Sequence, residues 1–231
     1  MTRFGQITFL ATCSAALLPA LLPAAAQQTP SFDCGKATVR IERAICKDAR
    51  LAKLDADIAR AYAQAQERLG GTGAIALRDD QRIFVAARDA AHGLPSEDLG
   101  DRMQARLTFL EELVKAPAHG DGFDGLWQNA YGIITIRAGS EGRHSVQAET
   151  ADPLSARWVC DTGGEATVKG GALTFTDGDT PEENTATIRI RRSGPILAVR
   201  EDVKGGAVRG YCGANGFLEG SFFRTGPARV E

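Results

Sequence analysis

Catalytic machinery is what this chain has least of. Histidine occurs only three times in 231 residues. Two of the three, His92 and His119, fall in loop or linker segments without a companion motif; the third is His144. There is no Gly-x-Ser-x-Gly elbow, no P-loop and no helix carrying metal-ligand spacing, so nucleophilic, nucleotide-dependent and zinc-hydrolase chemistry have no motif to stand on. No basic stripe marks a nucleic-acid surface, and beyond the N-terminal segment no apolar run reaches the roughly 18 residues a membrane helix needs. Cysteines and histidines are too far apart in sequence for a zinc cluster. Acidic residues are plentiful, 29 against 27 basic. The sequence does not place two of them across a cleft, so a carboxylate-dependent hydrolase is a remote alternative.

What is present begins with an export pattern. Met1-Thr2-Arg3 is a short positive start, an apolar run extends from about Ile7 to Leu22, and Ala24-Ala25-Ala26 ends it. Pro19 and Pro23 interrupt the run, which therefore reads as a signal peptide, residues 1–26, cleaved near Ala26. Leu10-Ala11-Thr12-Cys13 is a poor lipoprotein motif, since Thr12 fits badly and the preceding run is short. Beyond the leader stand Cys34, Cys46, Cys160 and Cys212, an even set suited to an oxidising compartment, periplasmic or secreted. Three pairings are possible on paper. Pairing within each half, Cys34 with Cys46 and Cys160 with Cys212, is preferred.

Residues 27–116 carry helical periodicity. Thr38 is a candidate N-cap for a short helix over Val39–Ile45, too short to be stable alone. Leu51, Leu54, Ile58, Ala61, Tyr62, Ala65 and Leu69 then fall on one face of a long helix, which Gly70-Gly71 stops. A second long helix after Thr72 would bury Ile75, Leu77, Phe84 and Val85, and Gly93-Leu94-Pro95 would break it. Ser96 is the candidate cap of a last helix showing Leu99, Met103, Leu107, Leu110 and Leu113. The product is a small antiparallel bundle.

Within this half, Asp33-Cys34, Ile41-Glu42-Arg43-Ala44-Ile45-Cys46, Leu51 to Asp55, Tyr62, Gln81-Arg82, Arg88-Asp89 and Arg106 together resemble the N-terminal domain of the LprI family over about residues 32–114. That family is a group of exported bacterial proteins named for a lysozyme inhibitor, so the resemblance implies a bundle, export and binding of lysozyme. One departure is plain. Where the family has a second cysteine pair bracketing the loop between the last two helices, this chain has Ala91 and Asp98. Asp89 is then expected to pair with Arg106 or Arg88 across the helices in place of that crosslink.

A glycine-rich linker, residues 117–125, leads to alternating periodicity over 126–231. Strands are expected around Leu126-Trp127, 133–136, 145–149, 157–160, 172–176, 186–191, 196–200, 208–212 and 217–224, with Gly- and Asp-rich turns between them. The pattern indicates an antiparallel β-sandwich or small β-barrel. Trp127 and Trp158 are expected in its core. Arg189 and Arg191 share a solvated face, partnered by acids of the preceding turn. That turn concentrates Asp177, Asp179, Glu182 and Glu183, a candidate partner surface; it lacks the ligand order and glycine of an EF-hand. Trp158-Val159-Cys160-Asp161-Thr162-Gly163-Gly164 faintly resembles the opening of the β-barrel inhibitors of C-type lysozyme, whose cleft-entering Ser-Gly-x-x-Tyr loop would correspond to Ser193-Gly194-Pro195-Ile196-Leu197 without its tyrosine. The fold class is therefore α+β. The expected function is an exported, non-enzymatic binding protein acting on lysozyme or another envelope protein, with no cofactor or metal; an envelope scaffold is the alternative.

Overall fold

The computed structural model describes residues 29–93, 98–116, 122–177, 186–205 and 209–228. The leader, Ser96, Asp179, Glu182 and Glu183, and the linker residues 117–121 lie outside the described residues.

Among the described residues four α-helices come first: α1 (Arg40–Lys47), α2 (Ala49–Leu69), α3 (Gly71–Ala91) and α4 (Leu99–Lys115). Helix α1 starts one residue later than expected. Its N-cap is Val39, which has no side-chain acceptor; Glu42 turns back instead and accepts from the amides of Thr38 and Val39 at 2.9 and 3.4 Å. Thr38 is therefore not the cap, because a glutamate already satisfies the free amides there. Cys34 and Cys46 are bonded and hold the 3-10 turn Cys34–Lys36 against the end of α1. Asp48 caps α2 through the amides of Arg50 and Leu51. Gly70 and Gly71 have φ of 58° and 40°, so the turn between α2 and α3 suits residues without a Cβ. Asp98 caps α4 by accepting from the Asp101 amide. Ile45, Leu77, Met103, Leu110 and Leu113 form the centre of the bundle, whereas Ile75, expected inside, is 50% exposed. On α3 the buried stripe runs through Gly73, Leu77, Asp80, Phe84 and Ala87, which turns Ile75 outward.

Eight antiparallel strands follow among the described residues: β1 (Gly125–Gln128), β2 (Gly132–Ala138), β3 (Arg143–Ala151), β4 (Val159–Lys169), β5 (Ala172–Thr176), β6 (Ala186–Ser193), β7 (Ile196–Val203) and β8 (Gly220–Gly226). Each pairs with its sequence neighbour and β8 returns to β1, so the sheet closes as an up-and-down barrel with no free edge. Alternation sets what is inside: Ala186, Ile188 and Ile190 are buried while Arg189 and Arg191 face out. At eight strands the side chains themselves fill the interior, led by Trp127, Ile134, Ile136, Leu173 and Phe222. Gly132 is sterically required, since a Cβ there would lie 2.0 Å from the Glu149 carbonyl oxygen on β3.

The expected strand over 208–212 does not form. Among the described residues of that stretch, Cys212 makes a single bridge with Cys160 and the two cysteines are bonded. The segment instead crosses the ends of β3 and β4, where Thr150 donates to the Phe217 carbonyl and Phe217 packs against Tyr131 and Trp158. A side-chain plug over the barrel end replaces a ladder there.

The bundle lies against β7 and β8. Phe223 of β8 sits within the helical core, edge-on to Phe109 of α4, and Ile196 reaches Gly73 of α3. No helix among the described residues is long and apolar enough to cross a membrane.

Candidate functional site

Charged residues of α2, α3 and α4 form two ionic clusters, the first partly buried and the second deeply buried. In the first, Asp55 of α2 accepts from the amide and hydroxyl of Ser31 at 2.8 and 2.5 Å, and Arg88 lies 3.8 Å away. Arg88 also binds its neighbour Asp89 at 2.8 Å. In the second, Arg106 of α4 donates to Asp80 at 2.7 Å and to Gln81 at 2.8 Å, and both Asp80 and Arg106 are only 5% exposed. Asp89 and Arg106 thus do not pair. Asp89 lies nine residues beyond Asp80 on α3, about 13 Å at helical rise, out of reach of a side chain held at Asp80. Arg82, on the outer face, pairs with Asp79.

Asp80 does more than neutralise Arg106. Its second oxygen accepts from the Ala130 amide at 2.6 Å, tying α3 and α4 to the turn between β1 and β2. Asn129 organises that turn by accepting from the amides of Tyr131 and Gly132. Arg102, one turn before Arg106, donates to the Pro153 carbonyl between β3 and β4 at 2.7 Å. The guanidinium of Arg106 lies 5.2 Å from the ring centroid of Phe84 and 4.6 Å from that of Phe109. Burial pushes its pKa below the ordinary arginine value, and Asp80 opposes the shift. Its Nη2 is buried and has no hydrogen-bond partner.

A cleft of about 510 Å³ opens at this junction, between one face of α4 and the β1–β2 and β3–β4 connections. Phe84, Ala87, Ala105, Phe109, Ala130 and Pro153 supply its apolar walls, and Asp98, Asp101, Arg102, Arg106 and Asn129 its polar groups. A smaller cleft of about 200 Å³ is lined by Asp80, Tyr131, Gly220 and Ser221. Size and mixed lining suit a small ligand or a peptide end.

The barrel distributes the remaining candidates. Trp127 is fully buried and donates to the Phe123 carbonyl, and Trp158 is 8% exposed in the aromatic plug. Arg189 is partnered by Asp202 on β7 rather than by the preceding turn, because β6 and β7 are adjacent in register. Asp177 accepts from the Ala186 amide where β6 begins, and the Ser193-Gly194-Pro195 turn lies at the other end of β6. Seven residues of strand put these two features about 24 Å apart, at opposite ends of the barrel. Asp161 accepts from Gln147 on β3, and Gly163 admits the Val146 carbonyl, so both have structural partners within the sheet.

Sequence reasoning missed the cluster at the β7 end, where Tyr211 donates to Glu201 at 2.6 Å with Arg209 at 3.3 Å from the same oxygen. Burial first, then the bond to Glu201, raise the Tyr211 pKa far above its ordinary value. Among the described residues no group of three or more His, Cys, Asp or Glu side chains could hold a metal ion.

The helical half is where comparison with known proteins succeeds. The family described as Lysozyme inhibitor LprI matches residues 34–118, from Cys34 to just beyond α4. The barrel lies outside that match. Neither a curated protein nor a solved structure matches the chain at a significant level.

Proposed function

We propose that this protein is exported, acts without catalysis, and binds and inhibits a lysozyme-type muramidase in the periplasm or outside the cell. The observation that carries the reading is the match of residues 34–118 to the lysozyme-inhibitor family LprI. A rigid bundle and barrel, each with one disulfide, suit a protein that presents loops to a partner in an oxidising compartment. We divide the chain into a signal peptide (1–26), a binding bundle (27–116), a linker (117–125) and a β domain (126–231). The candidate partner surface is the acidic turn of Asp177, Asp179, Glu182 and Glu183. C-type lysozymes are strongly basic, and charge complementarity would chiefly speed encounter and weaken with salt.

The test is a cell-wall lysis assay with purified mature protein at low and physiological salt, paired with calorimetry. Inhibition at micromolar protein is expected. No inhibition together with no binding removes lysozyme as the partner. Reversing Asp177 and Asp179 to lysine should weaken inhibition more at low salt; an unchanged effect clears the turn while leaving inhibition in place.

A further inference from the structure

We infer that the junction cleft is a binding site for the carboxylate end of a short peptide, anchored on Arg106. This site is independent of lysozyme binding and of the acidic turn.

The anchor rests on how Arg106 is held. Its Nη1 and Nε are occupied by Asp80 and Gln81, while Nη2 remains buried and without an acceptor. A buried guanidinium N–H without a partner costs stability, and an entering carboxylate oxygen removes that cost. Phe84 and Phe109 pack on the guanidinium and also line the cleft, so an apolar chain attached to the carboxylate meets ring surface next to the anchor.

Length and polarity select a peptide over a simple acid. Asp98, Asp101, Arg102, Ala105, Arg106 and Phe109 line the cleft at three-and-four spacing, so one face of α4 forms its floor. From Asp98 to Arg106 is eight residues, about 12 Å along the helix. An extended chain covers that distance in about three to four residues at roughly 3.3–3.6 Å each. The far end carries two carboxylates, Asp98 and Asp101, which would repel a second anion and accept an ammonium group. Asp98 already caps α4 and Asp101 lies 3.4 Å from Arg50, so the far end attracts the amine weakly and the Arg106 end dominates.

The experiment titrates full-length mature protein with tri-alanine, its C-terminal amide and butyrate, following binding by calorimetry and amide chemical-shift changes. Tri-alanine should bind with shifts centred on α4 and Ala130, and the amide and butyrate should each bind at least about 10-fold more weakly. Arg106 is paired inside the junction and its replacement threatens folding, so the decisive variant is Ala105→Trp. Ala105 is exposed on the cleft floor, and a tryptophan there fills the space while leaving the Asp80–Arg106 pair intact. It should reduce tri-alanine binding at least about 10-fold with an unchanged melting temperature. Equal affinity for the amide or butyrate, retained binding in the variant, or no binding at millimolar tri-alanine would each overturn the assignment.

Discussion

The two halves of this molecule are stabilised in different ways. Each holds one disulfide, yet among the described residues the charged residues buried whole, Asp55, Asp80 and Arg106, belong to the helices, while in the barrel the Glu201 side chain is buried and the polar residues buried whole are threonines. In the barrel, eight hydrogen-bonded ladders set the register, and alternating side chains need only be apolar and of suitable size. Helices have no such ladder between them. Their relative rotation and sliding are set by side chains alone, and a buried ion pair admits only one arrangement. Here that specificity reaches across the junction, since Asp80 serves both Arg106 and the barrel amide of Ala130. The barrel's nearest equivalent, Glu201 under Tyr211 and Arg209, sits at its rim.

The largest test of this contrast is Arg106→Met. It leaves Asp80 buried without its cation and should cost about 3–5 kcal/mol. Adding Asp80→Asn should recover much of the loss, since no charge then remains buried at that site. Both tryptophans lie in the barrel, so fluorescence follows that half while circular dichroism at 222 nm follows the helices. Because Phe223 and the Asp80–Ala130 bond join the halves, both signals should shift together in urea. A shift of the helical signal alone would show that the junction does not couple them.

Disulfide removal probes each half separately. The cysteines of the barrel are 52 residues apart and those of the bundle 12. In the chain-entropy picture their loss costs about 4 and about 3 kcal/mol respectively. The double alanine variants Cys160/Cys212 and Cys34/Cys46 should rank in that order by urea midpoint. The reverse order would mean that strand pairing already restrains the barrel's unfolded chain.

How far these features were legible in the sequence differs between the halves for the same reason. Periodicity marks helices and most strands well, because it records which face is buried; the buried faces of α2 and α4 and the alternation of β6 follow from it. It does not say which charged residues meet. Asp80 carries no motif and is absent from the expected site, whereas Asp89, part of the family pattern, binds Arg88, one of its two expected partners, while Asp80 holds the other, Arg106. Helix-to-helix register determines that choice, and a single sequence does not contain it. The segment through Cys212 reads as a strand from its alternation between turn signals, yet the disulfide and the Phe217 plug determine its path. The junction cleft was invisible because its lining comes from α3, α4 and two barrel connections at once.

Tyr211→Phe tests the barrel's rim cluster. Losing the donor to Glu201 should cost about 1.5–3 kcal/mol, the range for hydrogen bonds to charged groups, and it leaves Arg209 as that carboxylate's remaining partner. The pH dependence is more diagnostic. The folded state raises the Tyr211 pKa, so its contribution is fully present below the ordinary tyrosine value and is lost as pH rises beyond about 10. Wild-type stability should therefore fall more steeply between about pH 10 and 11 than that of the variant. Parallel curves would show that Tyr211 ionises as freely folded as unfolded.

The smallest effect is expected on the barrel's outer face. Arg189 and Arg200 are directly opposed across β6 and β7, a like-charge pairing that costs stability unless each finds an acid. Arg189 turns to Asp202 at 2.6 Å and Arg200 to Glu219. Asp202→Asn removes one compensation, but both side chains of that pair are more than half exposed, and water and salt screen what remains. The loss should be about 0.5 kcal/mol or less at low salt and smaller still at physiological salt, with both spectroscopic signals unchanged in shape. A loss above about 1 kcal/mol that persists in salt would show that the outer charge ladder helps set strand register, and the contrast between an ionically specified bundle and a backbone-specified barrel would no longer hold.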